Sequence, residues 1–283
     1  MGMPEVSVPA GRVHYEEFGA GPPVVLLHGL LMDHTVWHDV LPLLPDGHRY
    51  VLPDLPLGAH PVPLNADADL SNDGIAHIIA DFLDALDLRS VTLVHSDWGG
   101  GLLLTALGRD ERVGRLVILP STAFDNFPPG LPGRAATVAA RLPGLRLGLR
   151  AMRIGAVRRL PILFGRMARD IPDATMRAWT RPAIDDPLIR RDLLKHARAP
   201  FDRADLTRRT EALRRFPGDA LVLWIADGTV MPREHGRRLA DLLRRGRLVE
   251  LDDCYVLAML DQPERVAAEL AAFLAETTPA RRD

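Results

Sequence analysis

Val91-Thr92-Leu93-Val94-His95-Ser96-Asp97-Trp98-Gly99-Gly100 is the stretch on which the fold turns. The apolar run Val91–Val94 passes straight into polar residues, a bulky neighbour and two glycines, and Gly99 to Leu107 then reads as a helix. That is the layout of a nucleophile elbow, a tight turn needing small residues beside it that presents one side chain at a helix N-terminus. With Ser96 at the tip, the small-residue positions would hold Val94 and Trp98, which are too large for the turn. With Asp97 at the tip, Gly99 falls correctly two residues later, although His95 stands where glycine is usual. Asp97 is therefore the expected reactive residue; the competing reading makes it only a cap for the helix that follows.

Outward from the elbow, strand and helix patterns alternate. Glu5–Val8 and Arg12–Phe18 read as a hairpin, and Val24–Leu27 reads as a short strand covered on both faces. Trp37–Leu44 is expected to be a helix, His48–Leu52 a strand, and Asp73–Leu86 an amphipathic helix capped by Ser71. Val113–Leu119 is the next strand. Such alternation means a mostly parallel, doubly wound α/β sheet. From Thr122 to about Pro217 no strand pattern occurs, only Arg-rich amphipathic stretches such as Leu142–Leu160 and Leu188–Ala197 broken by prolines. Alternation resumes with a strand at Ala220–Ala226, a helix at Glu234–Leu243, a strand at Arg247–Leu251 and a helix at Pro263–Ala275. The expected organisation is one core, residues 1–121 and 218–283, with a helical cap, residues 122–217.

Composition narrows the function classes. A chain of 283 residues that is 47% hydrophobic and 25% charged has enough apolar material for one two-faced sheet core. A net charge of −2 argues against nucleic acid or a membrane surface as partner and for a small apolar organic molecule. Cys254 is the only cysteine, so no internal disulfide and no multi-thiolate metal site is expected, and no cofactor is. With no signal-peptide pattern the expected location is cytoplasmic; a homodimer is left open.

The elbow, with Leu26-Leu27-His28-Gly29-Leu30, resembles the α/β-hydrolase superfamily, and within it the aspartate-nucleophile branch of haloalkane dehalogenases and epoxide hydrolases, where Asp-Trp-Gly-Gly is common. The resemblance implies an α/β-hydrolase fold with a cap, Asp97 as nucleophile, and the Leu30 and Trp98 amides as oxyanion donors. His28 is expected to orient its loop. The chain departs from the pattern at both of Asp97's partners. The family's acid, in a motif like Trp-Gly-x-Asp-Asp, aligns with Gly228 in Trp224-Ile225-Ala226-Asp227-Gly228. The family's histidine, counted back from Asp261-Gln262-Pro263-Glu264, aligns with Val256, preceded by Tyr255.

Without that histidine an ester on the aspartate would not be hydrolysed. A carboxyl under a dry cap still serves as acid or base. His95, two residues from Asp97, is expected on the same side of the strand and Tyr255 beside the vacated position, both as catalytic candidates; His28, Asp33, His34, Asp125, Trp179 and Val256 are expected around the pocket. The tyrosines are Tyr15, Tyr50 and Tyr255, none in the cap, which lacks the epoxide-polarising pair the resemblance implies. Leu30 stands where dehalogenases often place a halide-binding asparagine. Three readings remain: a non-hydrolytic enzyme for cyclisation, C–C bond formation, addition, elimination or isomerisation with Asp97 as acid or base, as in natural-product biosynthesis; a hydrolase of an epoxide, alkyl halide or ester; and a ligand-binding receptor.

Overall fold

The computed structural model describes residues 3–98 and 100–276; Gly99, part of the elbow pattern, lies outside the described residues. The chain runs β1 (Glu5–Val8), β2 (Gly11–Gly19), β3 (Pro23–Leu26), β4 (Arg49–Pro53), α1 (Asn72–Ala85), β5 (Val91–Asp97), α2 (Leu104–Leu107) and β6 (Val113–Ser121). Six helices follow: α3 (Gly130–Ala139), α4 (Leu145–Ala151), α5 (Gly155–Arg158), α6 (Asp173–Asp185), α7 (Pro187–Arg198) and α8 (Arg203–Glu211). The core then closes with β7 (Asp219–Ile225), α9 (Arg233–Leu242), β8 (Gly246–Leu251), α10 (Ala258–Asp261) and α11 (Pro263–Ala275).

One eight-stranded sheet has the order β1-β2-β4-β3-β5-β6-β7-β8. Its first two pairings are antiparallel and the rest parallel. The parallel strands β3 and β5 are neighbours, with Leu26 opposite Val94, so their C-terminal ends bring the His28–Leu30 loop beside Asp97. Every residue of β5 is buried, as befits a central strand covered on both faces.

Two helix expectations are corrected. Trp37–Leu44 forms two 3-10 turns, His34–Trp37 and Leu41–Leu43, because the Asp33 carboxylate caps the first at Thr35 and Pro42 and Pro45 prevent a continuous ladder. After the elbow the chain makes a 3-10 turn, Gly101–Leu103, before α2. Ser71 does cap α1, its hydroxyl accepting from the Gly74 amide.

Candidate functional site

Asp97 ends β5 in a left-handed conformation, φ +54°, which costs a non-glycine residue roughly 1–2 kcal/mol. Gly29 makes the close approach possible, since a methyl there would overlap the Asp97 carboxylate. Asp97 Oδ2 accepts a hydrogen bond from the Leu30 amide at 3.1 Å. Oδ1 is buried and has no partner. Burial pushes the carboxyl up to about 6, although the Leu30 and Trp98 amides pull it down.

Above this carboxyl lies a cavity of about 450 Å³, formed by the residues after β3, the elbow and the cap helices α3, α4 and α7. Leu31, Trp98, Met152, Phe164, Met167 and Leu193 give its character, and among the described residues Asp97 is the one ionisable side chain that lines it. Trp98 is braced against Phe127, ring centroids 4.9 Å apart. Nothing marked these cap residues in the sequence beyond the Ala- and Leu-rich run between Gly133 and Met152.

Of the expected pocket and catalytic residues, Asp97, Leu30 and Trp98 come together; the others do not line the cavity. His95 is a correction. Strand alternation placed it beside Asp97, but the left-handed turn and a register shift between His95 and Asp97 break that alternation. Its imidazole lies against Gly101, and burial pushes it down to about 3, so it stays neutral. Tyr255 is another. Its amide donates to Asp261 Oδ2 at 2.8 Å, and its ring faces the Arg169 guanidinium 5.9 Å away. That loop is tied to the cap, the Leu257 amide donating to the Met167 carbonyl at 2.7 Å and the Arg169 amide to Asp261 Oδ1 at 2.8 Å. Val256 is fully buried there, away from the cavity.

His28 keeps its expected loop-orienting role but does not line the cavity, and bonding corrects the other expectations. His28 Nε2 accepts from the Leu55 amide at 2.8 Å, which leaves the proton on Nδ1 to donate to the Gly29 carbonyl at 2.9 Å. This ring shapes the loop carrying Leu30. Asp33 accepts from Thr35 and from the Trp179 indole at 3.0 Å, so Trp179 bolts the cap to the core rather than facing the cavity. Asp125 is exposed, 3.7 Å from His235 Nε2.

His34 Nδ1 pairs with Asp54 at 2.8 Å. Burial opposes its charge, but Asp54, Asp33 and Glu16 outweigh that and raise its pKa. Glu16, His34 and His38 are the only set of three or more among the described residues whose donor atoms converge as a metal ion would need. Here they bond to one another, His38 Nε2 to Glu16 at 2.9 Å, and none lines the cavity.

The model of the alpha/beta hydrolase fold family matches residues 22–263, and the chain belongs to that family. A 2-hydroxymuconate semialdehyde hydrolase of Pseudomonas sp. CF600 is 27% identical over 95% of this chain and 92% of its own length. Haloalkane dehalogenase 2 of Mycobacterium tuberculosis is 35% identical over 40% of each chain. A cis-3-alkyl-4-alkyloxetan-2-one decarboxylase of Shewanella oneidensis is 32% identical over 40% of this chain and 36% of its own. Among the described residues no helix is long and apolar enough to cross a membrane.

Proposed function

We propose that this protein is a non-hydrolytic α/β-hydrolase-fold enzyme that takes an apolar organic molecule into its cavity and uses Asp97 as general acid or base for cyclisation, addition, elimination or isomerisation. One observation carries the reading: among the described residues the cavity holds a single ionisable group, and one oxygen of that group has no partner. The Leu30 amide holds Oδ2, which sets the carboxyl in one orientation and leaves Oδ1 without a partner. A carboxyl near 6 is matched to proton transfer at neutral pH, where its two forms are both populated. The cavity volume suits a drug-sized molecule, and its walls select for an apolar one.

The hydrolytic half of an aspartate-ester mechanism needs a base to activate water. No histidine lines the cavity among the described residues; His95 lies against Gly101. The oxetanone decarboxylase relative is named for a reaction that releases carbon dioxide rather than consuming water, and for a substrate with two alkyl groups. Asp97→Asn and Asp97→Ala are expected to lower turnover at least about hundredfold. Unchanged turnover in both would sink the proposal, and tight binding with no product at all would favour a receptor.

A second reading has its own support, since two of the relatives named are a hydrolase and a dehalogenase. With Oδ2 held, Oδ1 would attack carbon to form an ester, either displacing halide from an alkyl halide or opening an epoxide, whose C–O bond breaks and whose oxygen takes up a proton. That reading requires a mass adduct on Asp97 after exposure to an epoxide or alkyl halide, lost in Asp97→Asn. The acid–base reading requires none.

A further inference from the structure

The whole-chain charge of −2 conceals a segregation. Residues 130–169, from the start of α3 to the loop before α6, contain nine arginines and no aspartate or glutamate. Three of the nine have acidic partners, Arg158 with Asp173, Arg159 with Asp170 and Arg169 with Asp253. The other six, among them Arg134, Arg141, Arg146 and Arg150, have none among the described residues. Between them stand apolar side chains in water: Leu131, Leu147, Ile154 and Leu160, with Leu147 71% exposed. Val138, Leu142 and Ile162 are exposed as well, yet they also line the cavity, so the cavity opens through this patch.

We propose that this face of the cap docks on an anionic phospholipid bilayer, with the arginines at the headgroups and Leu147, Ile154 and their neighbours in the acyl boundary, so that apolar substrate passes from lipid into the cavity. The charge favours this occupant over a second copy of the chain, because pairing two such faces would press like charges together. The apolar residues are scattered over three short helices and their loops rather than aligned along one helix-length stripe, an arrangement a fluid surface accommodates. Arginine stems cover apolar surface while their heads stay in water, which suits an interface of both characters. Whole-chain charge gives the contrary expectation because an acidic excess elsewhere cancels the patch.

The test is co-sedimentation of the untagged full chain with vesicles of phosphatidylcholine alone and of phosphatidylcholine with a third phosphatidylglycerol. Binding to the second and not the first, weakened by salt, is expected. Arg146→Glu with Arg150→Glu should reduce partitioning at least about thirtyfold, from the roughly fivefold each basic residue contributes near such a surface. Leu147→Ser with Ile154→Ser should reduce it roughly tenfold while leaving the charge intact. Neither pair lines the cavity, so turnover of a soluble substrate and the unfolding midpoint should stay unchanged, and Asp97→Asn should bind vesicles normally. Equal binding to both vesicles overturns the proposal. So does indifference to the apolar pair, which would mean a merely polyanion-binding face, and so does a dimer in solution that Leu147→Ser disperses.

Discussion

Asp97 and Asp192 are both buried almost completely, and the fold treats them oppositely. Asp192, on α7, reaches from the cap into the core loop 58–64 and has every lone pair engaged. Its Oδ2 accepts from the Leu64 amide at 2.9 Å and from His60 Nε2 at 3.3 Å, and its Oδ1 from the Arg191 guanidinium at 2.7 and 2.8 Å. Burial raises its pKa, but these partners more than reverse that and hold it below the usual range. Asp97 has backbone amides alone, keeps one oxygen unpartnered, and rises to about 6. The first is a structural ion that fastens the cap. The second is held at a cost in stability, which is what a group kept for chemistry looks like.

The contrast breaks most visibly at Asp192. Asp192→Ala strands His60 and the Leu64 amide in the interior and should cost about 3–5 kcal/mol in urea denaturation at pH 7. A loss under 1 kcal/mol would mean the pair carries little. Asp97→Asn should do the reverse. A carboxyl whose folded pKa is raised favours folding below the unfolded value near 3.9 and loses that contribution as pH rises through 6. The variant should therefore gain up to about 3 kcal/mol over the parent at pH 8 and nothing at pH 4, read as the difference between two pH series of unfolding midpoints. A gain independent of pH would remove the ionisation argument.

Smaller effects sharpen the same picture. Trp179→Phe keeps the packing and deletes the bond to Asp33, so about 1–2 kcal/mol should be lost by thermal unfolding. On the other half of the cap, Leu147→Ser should change stability by less than about 0.5 kcal/mol, since its side chain is 71% exposed and packs little surface away from water.

Much of this was legible in the sequence where one residue type has one use. An apolar run ending in glycines marks β5 and its turn, and Ser71 before an amphipathic run marks α1. Asp97 could be chosen over Ser96 by bulk alone. What stayed hidden depended on geometry that pattern does not carry. The side on which His95 lies follows from one positive φ. Asp192 sits among arginines and reads as a solvated helix residue, yet it is wholly buried. The cavity walls come from short helices whose lining faces follow no single period.

Because Asp97 is, among the described residues, the sole ionisable side chain lining its cavity, the site has one titratable proton to work with. Kinetics should register that number directly. A profile of rate against pH should be a single step near 6, not a bell, rising if the carboxylate accepts a proton and falling if the acid donates one. In mixed light and heavy water, the rate of the proton-transfer step should fall in a straight line with deuterium content, and curvature would betray a second proton in flight.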